Sequence, residues 1–174
     1  MIRLVLGSFL LIFLLSGCSS QKEEQKLTSK KVVLDDIEML YGQITREQLY
    51  FDYPEWKTIE EEYIPEGTVI KALKELPGKY NVEIFFGTWC SDSKREVPHF
   101  FRIYDLAGLK DKLSYTLYAV NRKLKLDNGL TDKRKIERVA TFVFYKDGNE
   151  IGRIVETPDD LLEKDILLII NKAK

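Results

Sequence analysis

Short runs in the second half of the chain have the length and composition of buried β-strands. Residues 80–86, 113–120 and 140–145 are rich in apolar, β-branched and aromatic side chains. Asp147-Gly148 is typical of a tight hairpin turn, so residues 150–155 are expected to pair with the strand that precedes them. The pattern therefore predicts a sheet that includes one antiparallel hairpin.

The segments around these runs carry apolar residues at helical spacing. We predict helices over residues 67–76, from about 90 to 106, around 132–138 and from 158 to about 171. Strand, helix and strand are thus followed by helix, hairpin and helix. This order predicts an α/β fold with a central mixed β-sheet flanked by helices.

Residues 32–65 are predicted to form an N-terminal helical extension packed on this domain, which spans residues 66–174. Thr45 opens a capping-box sequence, which indicates a short helix that runs to about residue 50. Pro54 suits the start of a second helix, because proline is favoured at the first helical positions.

The N-terminus has a different pattern, in which one basic residue precedes a short apolar stretch. Residues 4–15 span roughly 18 Å at about 1.5 Å per residue, too short for a hydrocarbon core of about 30 Å. Leu-Ser-Gly-Cys at residues 15–18 resembles the bacterial lipobox, in which the cysteine is lipidated. We therefore predict a lipoprotein signal peptide over residues 1–17 and lipidation of Cys18, with an ordinary signal peptide or a truncated membrane anchor as alternatives.

Residues 18–31 are polar and charged, which predicts a flexible tether between the lipid and the folded domain. A multiply acylated terminus would anchor the protein stably in a membrane. The predicted location is the cell envelope, with the lipid in the inner or outer membrane and the domain facing the periplasm or the exterior.

Composition excludes several classes of function. The chain has 174 residues, and its 27 basic and 28 acidic side chains are mixed along it, so no charged field favours nucleic acid. Its two cysteines cannot build a disulfide framework, and no second cysteine or histidine is spaced to form a metal site. If Cys18 carries lipid, Cys90 is the one free thiol of the processed chain. We expect no metal and no other cofactor.

The sequence around Cys90 resembles the active site of the thioredoxin family. Residues 85–90 are Phe-Phe-Gly-Thr-Trp-Cys, and Ser93 follows where the family has its second cysteine. Residues 139–148 resemble the family's Pro-Thr strand, hairpin and glycine turn. The resemblance covers about residues 66–172 and implies a thioredoxin-like fold, in a form that also resembles lipidated envelope proteins of this kind.

The resemblance also implies roles for individual residues. Cys90 takes the place of the catalytic nucleophile, and Ser93 takes the place of the resolving cysteine. The predicted substrate-binding ledge consists of Trp89, Val139, Ala140 and Thr141.

The expected start of a helix at Cys90 has an electrostatic consequence. Unpaired N–H groups and the helix dipole favour a thiolate over a thiol at that position. Lys94 and Arg95 act in the same direction, whereas Asp92 opposes them as a like charge. We expect an activated thiol.

Three residues depart from the family pattern. Ser93 cannot resolve a mixed disulfide, and it also opens a capping-box sequence, so it is equally a candidate helix cap. Ala140 replaces the family's cis-proline, and a cis bond before alanine costs about 3–4 kcal/mol, so the Val139–Ala140 bond is predicted to be trans. Ile84 stands where thioredoxins carry a buried aspartate, while Glu83 is expected on the other face of the strand.

Two classes of function remain open from the sequence. The first is a membrane-tethered protein that performs monothiol thiol–disulfide exchange on envelope proteins through Cys90, with a possible external thiol as reductant. The second is a redox-inactive thioredoxin-fold binding module of an envelope assembly, and a redox sensor that dimerises through Cys90 is a weaker third.

Arg122 and Arg138 are candidates to bracket the groove or are simply solvated, and His99 is expected on the side of its helix away from Cys90.

Overall fold

The structure is a computed structural model that describes residues 30–172. Its strands are β1 (Lys31–Leu34), β2 (Ile37–Leu40), β3 (Gly42–Ile44), β4 (Tyr80–Phe86), β5 (Leu113–Ala119), β6 (Thr141–Lys146) and β7 (Asn149–Val155). Its helices are α1 (Arg46–Asp52), α2 (Glu55–Glu62), α3 (Gly67–Lys74), α4 (Ser91–Leu106), α5 (Leu130–Lys133) and α6 (Leu162–Lys172), with a 3₁₀ turn at Leu109–Asp111.

A five-stranded mixed sheet forms the centre of the described domain, with the order β3-β5-β4-β6-β7. β4 runs parallel to β5 and antiparallel to β6, so that Ile84 lies between Leu117 and Phe142. The β3–β5 and β6–β7 pairs are antiparallel. The predicted α/β fold with a central mixed sheet flanked by helices is confirmed.

The two faces of the sheet are covered differently, because alternate residues of β4 point to opposite sides. Ile84 and Phe86 belong to the larger core, to which α1–α4 and α6 contribute buried side chains. Phe85 belongs to a smaller core, which Leu126 and Ile136 cover from the segment between β5 and β6. The segment that follows Phe86 therefore emerges at the edge between the two cores.

The N-terminal extension contains the predicted helices and also strands that the pattern did not predict. Thr45 is the N-cap of α1, and its Oγ1 accepts a hydrogen bond from Gln48 N at 3.1 Å. β3 adds an edge strand to the central sheet, while β1 and β2 form a separate hairpin. Because these strands have only three or four residues each, alternation in them is too short to be recognised from the sequence.

Two helices begin elsewhere than predicted. The helix expected around residues 132–138 is α5, which begins at Leu130 after Gly129 adopts a left-handed conformation with φ +66°. The last helix begins at Leu162 rather than near Pro158, and Asp165 Oδ2 accepts a hydrogen bond from Asp159 N in the turn before it. Local hydrogen bonds in these turns, rather than apolar spacing, determine where the helices start.

The predicted signal peptide, Cys18 and most of the predicted tether lie outside the described residues. Within residues 30–172, no helix is long and apolar enough to cross a membrane.

Candidate functional site

Cys90 lies at the N-terminus of α4, directly after the loop that follows β4. It is the N-cap residue, with extended backbone at φ −101° and ψ 129°, and no side chain caps the helix. Cys90 N donates to Gly87 O at 3.0 Å, and Cys90 O accepts the first helical hydrogen bond from Lys94 N at 3.0 Å. Cys90 forms no disulfide and its side chain is half-buried, so the thiol is accessible from solvent and lies at the positive end of a helix dipole.

The sulfur of Cys90 contacts the loop that precedes β6. Cys90 Sγ donates a hydrogen bond to the carbonyl oxygen of Val139 at 3.1 Å. On the far side of Val139, Ala140 O accepts a hydrogen bond from Glu156 N at 2.7 Å, and Thr141 Oγ1 donates to Arg138 O at 2.7 Å. These hydrogen bonds hold the loop beside the sulfur.

The peptide bond between Val139 and Ala140 is cis, so the predicted trans bond is wrong. The prediction used only the intrinsic preference of a bond that precedes alanine. It did not take into account the surroundings of that bond, which include a fully buried Ala140 and a buried Val139. The loop that precedes β6 thus has the cis bond that the intrinsic preference argued against.

Trp89 forms one wall of the site. Its Nε1 donates to Val120 O at 3.0 Å, which ties the indole to the end of β5. The ring lies over Gly87, where a Cβ would come within 2.5 Å of Trp89 Cε2. The guanidinium of Arg122 lies 5.4 Å from the ring centroid on the exposed side. Glycine at position 87 is therefore what allows the tryptophan to lie flat beside Cys90.

Ser93 lies in the first turn of α4 rather than at its cap, so its predicted role as the N-cap is wrong. Cys90 occupies the cap position, and Ser91 is the first helical residue. Ser93 is fully buried, and its Oγ accepts a hydrogen bond from Gly87 N at 3.1 Å. The capping-box sequence is present, but the N-cap of the helix lies three residues before the serine that this sequence indicates.

The charged side chains of the first turn of α4 are already paired. Arg95 donates to Asp92 at 3.0 Å and to Glu96 at 2.6 Å, and Lys94 lies 3.7 Å from Glu55. Each of these two cations therefore has an acidic partner within the protein. The helix backbone remains as the main source of positive potential at the sulfur.

The carboxylate nearest in sequence to the family's buried aspartate has a different role. Glu83 points to the smaller core, where it accepts two hydrogen bonds from Arg134, at 2.6 and 2.8 Å, and one from Tyr145 Oη at 2.9 Å. Burial and the hydrogen bond to Glu83 raise the pKa of Tyr145. Ile84 is fully buried in the larger core, as strand alternation predicts.

His99 is distant from the sulfur along α4. Its ring stacks on Tyr63, with the centroids 3.7 Å apart, and Nδ1 lies 3.8 Å from Glu96. The expectation that His99 does not pair with Cys90 is confirmed. Among residues 30–172, no group of three or more His, Cys, Asp or Glu side chains is placed to hold a metal ion.

The structure places two of the predicted site residues, Trp89 and Cys90, at the surface and the others behind them. Trp89 and Cys90 are half-buried at the rim, and the carbonyl of Val139 faces the sulfur. The side chains of Ala140 and Thr141 are buried, so these two residues offer their backbone at most. Sequence reasoning did not single out the hydroxyl of Thr88, which accepts a hydrogen bond from Leu40 N at 3.3 Å and joins the β1–β2 hairpin to the site.

Comparisons with known proteins agree with this arrangement. No known family profile matches the chain. It is 30% identical over 104 residues to thioredoxin H2-2 of Oryza sativa subsp. japonica, which covers 59% of this chain and 71% of the rice protein. It is also 30% identical over 83 residues to thioredoxin-like protein R548 of Acanthamoeba polyphaga mimivirus, which covers 48% of this chain and 57% of the viral protein.

A solved structure supports the fold independently. The chain is similar to a protein of unknown function from Pseudomonas aeruginosa, with a TM-score of 0.55 and 15% identity, over 70% of this chain and 82% of the other. Identity at that level shows the fold alone. Together with the extent of the match to the rice thioredoxin and the cysteine at the start of α4, it shows that the chain belongs to the thioredoxin-like family.

Proposed function

We propose that this protein performs thiol–disulfide exchange with a single active-site thiol, that of Cys90. The observation that carries the proposal is the contrast between two neighbouring side chains. Cys90 is accessible at the N-terminus of α4, whereas Ser93 is fully buried and hydrogen-bonded to Gly87 N. The site therefore has one sulfur that is available for chemistry. Ser93, at the position of the family's resolving cysteine, instead accepts a hydrogen bond from the loop before α4.

The proposed exchange proceeds in two balanced steps. The Cys90 thiolate attacks one sulfur of a substrate disulfide, so that a mixed disulfide forms, the substrate S–S bond breaks, and the leaving thiolate takes up a proton. A second thiolate then attacks the mixed disulfide and regenerates Cys90. Since Ser93 has no sulfur, that second thiolate comes from outside the site. A third cysteine of the substrate, different from the one just released, gives isomerisation. An external thiol gives reduction, in which two external thiols are oxidised to their own disulfide for each substrate disulfide that is reduced.

The residues around Cys90 support this chemistry. The backbone N–H groups at the start of α4 favour the attacking thiolate. The Val139 carbonyl accepts a hydrogen bond from the Cys90 thiol in the resting state and so lies directly beside the sulfur that a substrate would approach. Trp89 provides an apolar wall for the residues on either side of the substrate cysteine.

The location of this activity rests on the N-terminal sequence alone. We propose that residues 1–17 are removed, that Cys18 carries lipid, and that the domain acts on envelope proteins that contain cysteines or disulfides. Replacement of Cys18 by serine is expected to move the protein from the membrane fraction to the soluble fraction. If the Cys18→Ser protein stays with the membrane and keeps its mass, the anchor is elsewhere.

Reaction with a peptide disulfide tests the exchange itself. The purified protein is mixed with a cysteine-peptide disulfide, and the mass of the intact protein is followed in time. We expect one mixed disulfide on Cys90 that is stable until an external thiol is added, and none in Cys90→Ser. In the matched control, Ser93→Ala, the mixed disulfide should form and persist as in the unaltered protein, whereas a role of Ser93 in resolution would change its lifetime.

Alkylation by iodoacetamide at neutral pH tests whether the fold activates the thiol. We expect Cys90 to react faster in the folded protein than in the same chain unfolded in urea, because the helix N-terminus acts on it only in the fold. An equal or slower rate in the folded protein would remove the activation argument.

A redox-inactive binding module is the second candidate, and one observation favours it. Ile84 is fully buried where a proton-transferring carboxylate would lie in the family, and Glu83 is engaged by Arg134 and Tyr145 on the other face. A module of this kind predicts that Cys90→Ser leaves the cellular phenotype of the gene unchanged. Loss of function in Cys90→Ser, with the folded protein still present, would reject it.

A further inference from the structure

Arg122 lies at the rim of the Cys90 site, over the ring of Trp89. Trp89 Nε1 donates to Val120 O at 3.0 Å, so the indole is fixed to the segment that carries Arg122. The Arg122 guanidinium lies 5.4 Å from the Trp89 ring centroid, within the range of a cation–π interaction. The side chain is exposed, and its charge is therefore positioned next to the residue that precedes Cys90.

Two acidic side chains of the neighbouring loops are bound to other groups. Asp35 lies 3.2 Å from Lys123 Nζ, and Asp127 accepts a hydrogen bond from Tyr41 Oη at 2.8 Å. Within residues 30–172, the structure places no carboxylate oxygen within 4.0 Å of the Arg122 guanidinium. Its positive charge is therefore available to a ligand.

The opposite side of the site differs in this respect. Arg138 precedes Val139, and its Nη1 donates to Glu156 at 2.8 Å, so its charge is matched within the protein. Lys94 and Arg95 on α4 are also paired with acidic residues. Of the four described cations Lys94, Arg95, Arg122 and Arg138, only Arg122 has no carboxylate partner.

We propose that Arg122 selects substrates that carry a carboxylate beside the reacting sulfur. This inference rests on the proposed exchange at Cys90 and specifies its substrate class. A guanidinium presents a planar fork of donors that matches a carboxylate, and the Trp89 ring keeps that plane in place without using its hydrogen bonds. The carboxylate belongs either to an acidic residue next to the substrate cysteine or to a small thiol such as glutathione.

Peptide disulfides of different charge test the selection. Short symmetrical peptide disulfides with Glu, Gln or Lys on either side of the cysteine are compared, together with glutathione disulfide, by the rate at which the mixed disulfide forms on Cys90. We expect the Glu peptide to react about threefold faster than the Gln peptide, the size of one exposed charge pair, and the Lys peptide to react more slowly. The preference should disappear at about 1 M salt, where charges are screened over about 3 Å.

Charge reversal at Arg122 and at a distant lysine identifies the group that causes the preference. Arg122→Glu should reverse the order of the peptides. The quantity compared is the ratio of the rates for the Glu and Gln peptides within each variant, so that any change in rate common to all peptides cancels. The control is Lys110→Glu, which makes the same change in net charge at the other end of β5, roughly 20 Å away along a strand of this length. Lys110→Glu should keep the preference for the Glu peptide.

The possible outcomes separate this inference from the function on which it rests. If no peptide forms a mixed disulfide with Cys90, the proposed exchange is wrong and the inference falls with it. If all peptides react at equal rates, or if Lys110→Glu alters the order as Arg122→Glu does, only the inference is overturned. If the preference depends on Arg122 and is seen for the Glu peptide but not for glutathione disulfide, the carboxylate belongs to an acidic protein segment. If glutathione disulfide is preferred in the same way, the carboxylate belongs to a small thiol.

Discussion

Replacement of Gly87 by alanine tests the packing that positions Trp89 beside Cys90. A Cβ at position 87 would lie 2.5 Å from Trp89 Cε2 and 2.8 Å from both Cζ2 and Nε1. Contacts below 3.0 Å cannot be kept, so the indole must move. Movement of Nε1 breaks its hydrogen bond to Val120 O and separates the ring from Arg122.

The expected loss of stability follows from these contacts. Overpacking in a rigid core costs about 1–3 kcal/mol, and Trp89 is half-buried with space on its solvent side, which places this site near the lower limit. The lost hydrogen bond adds about 1 kcal/mol. We therefore expect Gly87→Ala to lower the free energy of unfolding by about 2 kcal/mol and to slow formation of the mixed disulfide on Cys90.

Urea unfolding followed by circular dichroism measures this change. The matched control is Gly67→Ala, because a Cβ at position 67 would meet no atom within 4 Å, so its free energy of unfolding should be equal or slightly higher. Trp89→Ala in the Gly87→Ala background should recover part of the loss, since it removes the clash. An unfolding midpoint unchanged in Gly87→Ala would refute the packing of Trp89 on Gly87.

Three further predictions concern the scaffold. Thr45→Ala removes the cap of α1 and should lower the free energy of unfolding by about 1 kcal/mol in urea titrations, whereas Thr45→Ser should preserve it. Glu83→Gln leaves Arg134 without its bidentate partner and should cost about 2 kcal/mol in the same assay, while an equal midpoint would show that the pair is not formed. Burial raises the pKa of Tyr145 above its ordinary value of about 10, so its contribution to the free energy of unfolding is present below that pH and is lost as the pH rises towards the folded pKa. Stability should therefore fall above about pH 10, and less steeply in Tyr145→Phe. An identical pH profile in that variant would contradict this.

The fold could be predicted from the sequence where the pattern is long and local. β4 begins and ends at the residues expected, and α4 ends at Leu106 as expected, because an apolar strand and a long amphipathic helix each repeat their signal several times. The hairpin at Asp147-Gly148 was equally evident from its turn residues. Strands of three or four residues, such as β1–β3, do not contain enough residues to show alternation.

The candidate site could be predicted in identity but not in all its contacts. The resemblance of residues 85–93 to the thioredoxin active-site motif identifies Cys90 and Trp89, and both lie at the start of α4. The cis bond before Ala140 and the burial of Ser93 depend on residues distant in sequence. The intrinsic cost of a cis bond therefore predicted a trans bond wrongly, and the local capping-box sequence wrongly predicted Ser93 as the N-cap. Arg122 was noted as a charge near the groove, and only the tertiary structure shows that it lies over Trp89.

The hydroxyl of Ser93 gives a physical reason why a site with one cysteine keeps its shape. Gly87 N is a backbone donor beneath the loop and needs a good acceptor, and the oxygen of a serine accepts a hydrogen bond better than the sulfur of a cysteine does. The same loop is held by the Trp89–Val120 and Thr88–Leu40 hydrogen bonds, none of which involves a second thiol. The position of Cys90 therefore does not depend on the oxidation state of a partner sulfur. In the exchange that we propose, a thiol held in this way forms a mixed disulfide without distorting its own loop, and a thiol from outside the site releases it.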